Sequence, residues 1–233
     1  MTSCIHIDLW GLAPVVSIQG YRYYVSFMDD FTRFTWIFPL KTKDETLSVF
    51  KIFKTQIEKQ LETSIKCLQS DWGGEFRPFV HYLHEEGIQF RHSCLFTHNQ
   101  NGLVERKHRR ITEIGLTLLA QATLPINFWW DAFHTTTYII NRLSTLILSM
   151  KSPFESIFHL KPGYKFLRSF GCSCFPFLRD YTTHKFNFHS SKCIFLSYSS
   201  LHKGYKCLHS SGKMKMEFVC CYSRRFVKKI INF

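Results

Sequence analysis

The chain has 233 residues, 45% of them apolar and 17% aromatic, enough for one sizeable core and a smaller second unit. No apolar run approaches the roughly 18 residues of a membrane helix, and the start MTSCIHIDLWG has no basic-then-apolar leader pattern, so neither a membrane span nor a signal peptide is expected. The formal charge of +13 is unevenly placed, with 16 Lys and Arg against 15 Asp and Glu in residues 1–160 but 14 against 2 in residues 161–233, so a polyanion partner is expected for the last third.

In chain order, Cys4 to Trp10 reads as a short strand containing Asp8, stopped by Gly11 and Pro14. Tyr21 to Met28 and Phe34 to Leu40 are aromatic and β-branched, and form a hairpin or meander with the first strand. Asp29 and Asp30 sit at the turn between them, where paired acids are turn-formers more often than catalysts. Asp44 is placed to N-cap a helix over Glu45–Leu61, whose Leu47, Phe50, Phe53 and Ile57 recur at helical spacing. Ser64 to Ser70 then reads as a buried strand running into Asp71-Trp-Gly-Gly, an acid at a strand's carboxyl end followed by glycines, as open α/β sheets build their sites.

Pro78 to Glu86 is a short helix and Ile88 to Cys94 another strand. Asn101 to Ala122 predicts one amphipathic helix. Val104, Ile111, Ile114, Gly115 and Leu118 share an arc, and Glu105, Arg109 and Thr112 share a different one. Glu105 is followed directly by Arg106, Lys107, His108, Arg109 and Arg110, the pattern of a helix beside a phosphate backbone with one acid aimed at a metal. Asn127 to Leu143 reads as a second long helix. Ser152-Pro153 opens a short one to His159, and Lys161-Pro-Gly163 marks a linker. Beyond it, strand-like runs at 167–175, 191–198 and 203–209 suggest a small β-barrel, and residues 213–233 have no legible pattern.

Nine cysteines without a CxxC pair, several in apolar runs, read as reduced buried thiols of an intracellular protein, and no histidine pairs with cysteines at zinc-finger spacing. Three acids remain at useful places: Asp8 and Asp71 on strands and Glu105 on a helix. Two divalent ions about 3.5–4 Å apart require such oxygen ligands and suffice, with positioning, for phosphodiester chemistry.

Asp8 lies in His-Ile-Asp-Leu-Trp-Gly and Asp71 in Ser-Asp-Trp-Gly-Gly-Glu-Phe, while Glu105 lies in Asn-Gln-Asn-Gly-Leu-Val-Glu-Arg-Lys-His-Arg. With Tyr24 to Trp36, Ile140-Asn-Arg-Leu, Ser152-Pro-Phe, Phe170-Gly-Cys and Lys203-Gly-Tyr, these segments resemble the integrase of Ty1/copia-type long-terminal-repeat retrotransposon Pol polyproteins over about residues 4–212. The resemblance implies an α/β fold: a ribonuclease H-like core with a mixed five-stranded sheet flanked by helices, then an SH3-like β-barrel. It implies domains at 1–145 and 166–233 joined by a linker at 146–165. It implies a catalytic, metal-binding triad of Asp8, Asp71 and Glu105 with two Mg²⁺ or Mn²⁺ ions, and DNA contacts from Asn101, Lys107, His108, Arg109, Lys203 and Lys206. The expected activity is DNA 3′-end processing and strand transfer, by a nuclear homo-oligomer with element ends and target DNA as partners.

The sequence departs from that pattern in places. Asp71 and Glu105 are 34 positions apart, shorter than is usual for integrases, the loop 94–98 lacks prolines, and Leu12 stands where proline is usual. The likeness fades after Gly212, and no His/Cys zinc domain precedes the core. Two alternatives follow. One is a truncated, inactive relic that only binds nucleic acid. The other is a ribonuclease H-type nuclease, which needs a fourth carboxylate from Asp29, Asp30 or Glu75.

Overall fold

The computed structural model describes residues 4–92, 102–176, 190–199 and 204–209. Backbone packing divides the chain into two compact units, the described parts of residues 1–112 with 139–163 and of 113–138 with 164–233. The division passes through two long helices and does not follow a single cut along the chain.

In the first unit β1 (Cys4–Trp10), β2 (Tyr23–Asp29) and β3 (Thr35–Leu40) form an antiparallel meander. Strands β4 (Cys67–Ser70) and β5 (Gln89–His92) add in parallel on the free side of β1, giving the order β3-β2-β1-β4-β5. This is the mixed five-stranded sheet expected from the resemblance. Side chains alternate across it. Ile5, Ile7, Val25 and Phe27 enter a core with Phe50, Phe53 and Ile57 of α1 (Thr46–Leu61), where Phe27 stacks on Phe53 at 4.1 Å. His6, Asp8 and Trp10, with Tyr24 and Ser26, occupy the opposite face.

Asp44 does not cap α1. A 3-10 turn at Lys43–Glu45 moves the helix start to Thr46, whose hydroxyl donates to the Lys43 carbonyl, while Glu45 accepts from the Lys41 N–H at 2.9 Å. Asp29 is buried and accepts from the amide and hydroxyl of Thr32, so it forms the turn, as its position implies. Asp30 bonds His6 and Arg33. The chain continues through α2 (Phe79–Glu85), α3 (Gly102–Ala122) and α4 (Trp129–Ile140). Helix α4 is shorter than Asn127–Leu143 because a 3-10 turn precedes it, and Asn141 leaves the helix to bond both backbone groups of Thr35. Helix α5 (Pro153–Phe158) is capped by Ser152, which accepts from the Glu155 amide.

In the second unit β6 (Ser173–Cys174), β7 (Cys193–Tyr198) and β8 (Tyr205–His209) form an antiparallel sheet in that order. The expected strand at 167–175 shrinks to two residues, and the rest of a barrel lies outside the described residues. The sheet buries Cys174, Cys193, Phe195 and Cys207, and the described cysteines are free thiols. Glycine at 115 admits the Phe133 ring, which an added Cβ would strike. Thr135 donates to the Leu196 carbonyl at 2.8 Å, His134 meets Ser197 at 2.7 Å, and the buried Asp131 carboxylate takes Lys206 at 2.6 Å.

Candidate functional site: a carboxylate cluster on the first unit

Strand register brings the first two acids together. Cys4 pairs with Cys67 and His6 with Gln69 in parallel, so the same offset carried two residues further sets Asp8 level with Asp71. Both then project from the same face. Asp71 follows β4 directly, in a turn where Trp72 takes a positive φ of 66° and Gly73 donates to the Asp71 carboxylate at 3.1 Å. Gly73 also leaves room for Glu75, whose carboxylate a Cβ there would meet at 2.9 Å. Glu105 is exposed on the first turn of α3, where a helix N-terminus favours an acid.

Their mutual repulsion shows in Asp8. Its side chain is only 14% exposed, and its pKa is pushed up to about 7 by burial first and then by the negative charge of Asp71. The Leu9 amide opposes that rise, while Glu105 and Glu75 add to it. Uncompensated like charges around hard oxygen donors suit a divalent cation. Among the described residues no three acidic, His or Cys side chains converge on one point as a closed metal cage. The acids are hard oxygen donors of like charge, and their carboxylates are set apart.

A packed wall backs Asp8. Ser26 lies directly across from it in the β1–β2 ladder, and Ser26 Oγ is 2.6 Å from His108 Nε2. Burial holds His108 down to a pKa of about 4, so the ring is neutral at pH 7. On the other side of the ring, His108 Nδ1 lies 3.7 Å from Asp8 Oδ2. Tyr24 packs on both Trp10 and His108 with centroids 5.2 Å apart. Burial and the Asp8 charge raise the Tyr24 pKa further above its usual value.

Of the residues expected to contact DNA, His108 is buried among these groups. Lys206 is held by Asp131 in the second unit rather than presented as a free cation. Arg109 is exposed on the arc of Glu105, whereas Lys107 faces away from it, its pKa lowered to about 8 by burial and by Arg110 and Arg33. Asn101 and Lys203 lie outside the described residues. Ser26 and Tyr24 were not singled out in the sequence. Ser26 is the one small polar residue in the run YYVSFM, and that is the signal that could have found it.

The pKa of Asp8 has a stability consequence. A carboxyl raised from 3.8 to about 7 binds its proton more tightly in the folded state. Stability of the metal-free protein is therefore highest below about pH 4 as far as this group is concerned, and falls as pH rises toward 7. The slope approaches roughly 1.4 kcal/mol per pH unit in that window. Asp8→Asn is expected to flatten it, as read by urea titrations between pH 5 and pH 8. An unchanged slope in the variant would place the titrating group elsewhere.

Residues 172–217 match the family described as the retroviral polymerase SH3-like domain. The Pol polyprotein of transposon RE2 from Arabidopsis thaliana is 46% identical over 205 residues, covering 88% of this chain and 14% of the polyprotein. That of transposon TNT 1-94 from Nicotiana tabacum is 33% identical over 204 residues, covering 87% and 15%. A simian T-cell lymphotropic virus intasome, solved with a PP2A regulatory subunit, aligns at a TM-score of 0.52 and 13% identity, over 92% of this chain and 77% of that one. At that identity the likeness establishes the fold.

The sheet order and the SH3-like match define a ribonuclease H-like integrase core with its SH3-like domain. The chain belongs to the Pol polyproteins of copia-type retrotransposons, of whose length it spans about one seventh.

Proposed function

We propose that the chain carries out the cutting and joining steps of retrotransposon integration, with Asp8, Asp71 and Glu105 holding Mg²⁺ or Mn²⁺ and DNA as the substrate. The observation that carries this reading is the parallel β1–β4 register that sets Asp8 level with Asp71, in a chain 46% identical to a retrotransposon Pol polyprotein. Bound divalent ions there would activate the attacking water or hydroxyl and offset charge on the leaving oxygen. The protein's part is positional. His108 and Ser26 hold the buried side of Asp8 fixed, Gly73 sets the Asp71 carboxylate, and exposed Arg109 beside Glu105 neutralises a DNA phosphate.

A second reading, a ribonuclease H-type nuclease, draws on Glu75. Of the three nominated fourth acids, it is the one whose charge reaches Asp8. Both readings are tested on the purified chain with labelled duplex DNA and with an RNA–DNA hybrid, in Mg²⁺ or Mn²⁺. Nicking and strand transfer on DNA, with a metal-induced rise in melting temperature, is the expected result. Cleavage of the hybrid alone selects the nuclease. A metal-independent melting temperature with no turnover would overturn the metal site and leave the inactive relic.

A further inference from the structure

Helix α3 has a second functional face. Glu105, Arg109 and Thr112 form one face, while Leu103, Arg106, Lys107 and Arg110 recur at i, i+3, i+4 and i+7 on another. That second face lines a cleft of about 640 Å³ within the first unit, with Arg33 contributing a fourth cation. No acidic residue lines the cleft among the described residues. Arg33 is tied to Asp30 at 3.1 Å, but Arg106, Lys107 and Arg110 have no carboxylate partner among the described residues. Lys107 is squeezed between burial and the repulsion of Arg110 and Arg33. Such a cluster is a standing deficit of negative charge.

The opposite wall is apolar and bare. Leu146 and Ile147 are 85% and 78% exposed, and Leu143 is 41% exposed. They are not held out by disorder of the loop. Residues 145–151 close on themselves through Thr145 N–H to the Lys151 carbonyl at 3.1 Å and Met150 N–H to the Thr145 carbonyl at 2.9 Å. The 3-10 turn Leu146–Leu148 sits inside that closure. Two aliphatic side chains fixed in solvent beside unpaired cations form a contiguous patch of mixed character, and such patches mark interaction sites.

The geometry points to this cleft as a docking site for an acidic amphipathic segment of a partner protein, its carboxylates meeting Arg106, Lys107 and Arg110 and its bulky apolar side chains covering Leu146 and Ile147. A nucleic-acid backbone matches only half of the surface. It would satisfy the cations and leave the aliphatic wall in water, whereas an acidic helix with apolar anchors matches both halves. The site lies on the side of α3 away from the carboxylate cluster, so occupancy is compatible with DNA on the other face.

The test is fluorescence anisotropy with the full chain and a short fluorescein-labelled peptide of Asp, Glu, Leu and Phe. A peptide with Ser for its apolar residues and a duplex DNA serve as comparison probes. Saturable binding of the acidic apolar peptide is expected, weakening with salt. It should weaken by about tenfold or more in Arg106→Glu/Arg110→Glu and separately in Leu146→Ser/Ile147→Ser. The second pair is exposed, so those variants keep the fold, which circular dichroism checks. No saturable binding, or binding indifferent to Leu146→Ser/Ile147→Ser, would overturn the proposal. So would a DNA affinity that falls in both variant pairs while the peptide does not bind, which would make the cleft a nucleic-acid groove.

Discussion

Replacing Asp71 by Asn is expected to remove metal-dependent DNA cutting while leaving the protein folded and at least as stable without metal. The loss should reach about a thousandfold, since a ligand that positions a metal contributes several kcal/mol to the transition state. The fold survives because Asn keeps the shape and still accepts from the Gly73 amide, which now bonds the Asp71 carboxylate at 3.1 Å. Stability holds or rises because Asp71 is the largest charge acting on Asp8, and removing it lets Asp8 ionise more readily. Two readouts separate this from simple damage: DNA turnover, and the metal-induced shift in melting temperature. Both should vanish together. Wild-type turnover in the variant would move the chemistry away from this turn.

Lys206→Met is expected to be the most damaging single change in the second unit. Asp131 is 1% exposed and its carboxylate takes the Lys206 ammonium at 2.6 Å, so the variant leaves a buried charge uncompensated. Breaking one partner of such a pair costs about 3–5 kcal/mol, or on the order of 10 °C in melting temperature for a chain of this size. Asp131→Asn together with Lys206→Met should recover much of the loss, because the charge leaves with its partner. A Lys206→Met protein that melts normally but binds DNA weakly would return Lys206 to the role expected from the sequence.

The carboxylate cluster was legible because its ingredients are local. Asp71 is flagged by a strand running into two glycines, Glu105 by its isolation among cations, and the parallel register then sets Asp8 level with Asp71. What surrounds the cluster was hidden because it depends on facing. His108 sits in a run of charges and reads as one more cation. Its angular position nonetheless falls beside Val104 on the buried stripe, and a wheel weighted by burial rather than residue type would have found it. The Lys206–Asp131 pair was hidden for a different reason: the partners lie 75 positions apart, and no local pattern announces a pair of that separation. Asp44 lost its cap to a single 3-10 turn, a shift of one residue that propensity does not resolve.

On the proposed reading, the pairing of β1 with β4 makes the placing of the acids an all-or-none property of alignment. Side chains change faces with every residue, so sliding β1 by one position would turn Asp8 into the Phe27–Phe53 core and present Ile7 or Leu9 to Asp71. On the proposed reading, a one-codon deletion in this strand ahead of Asp8 would keep every acid in the sequence and still separate Asp8 from Asp71.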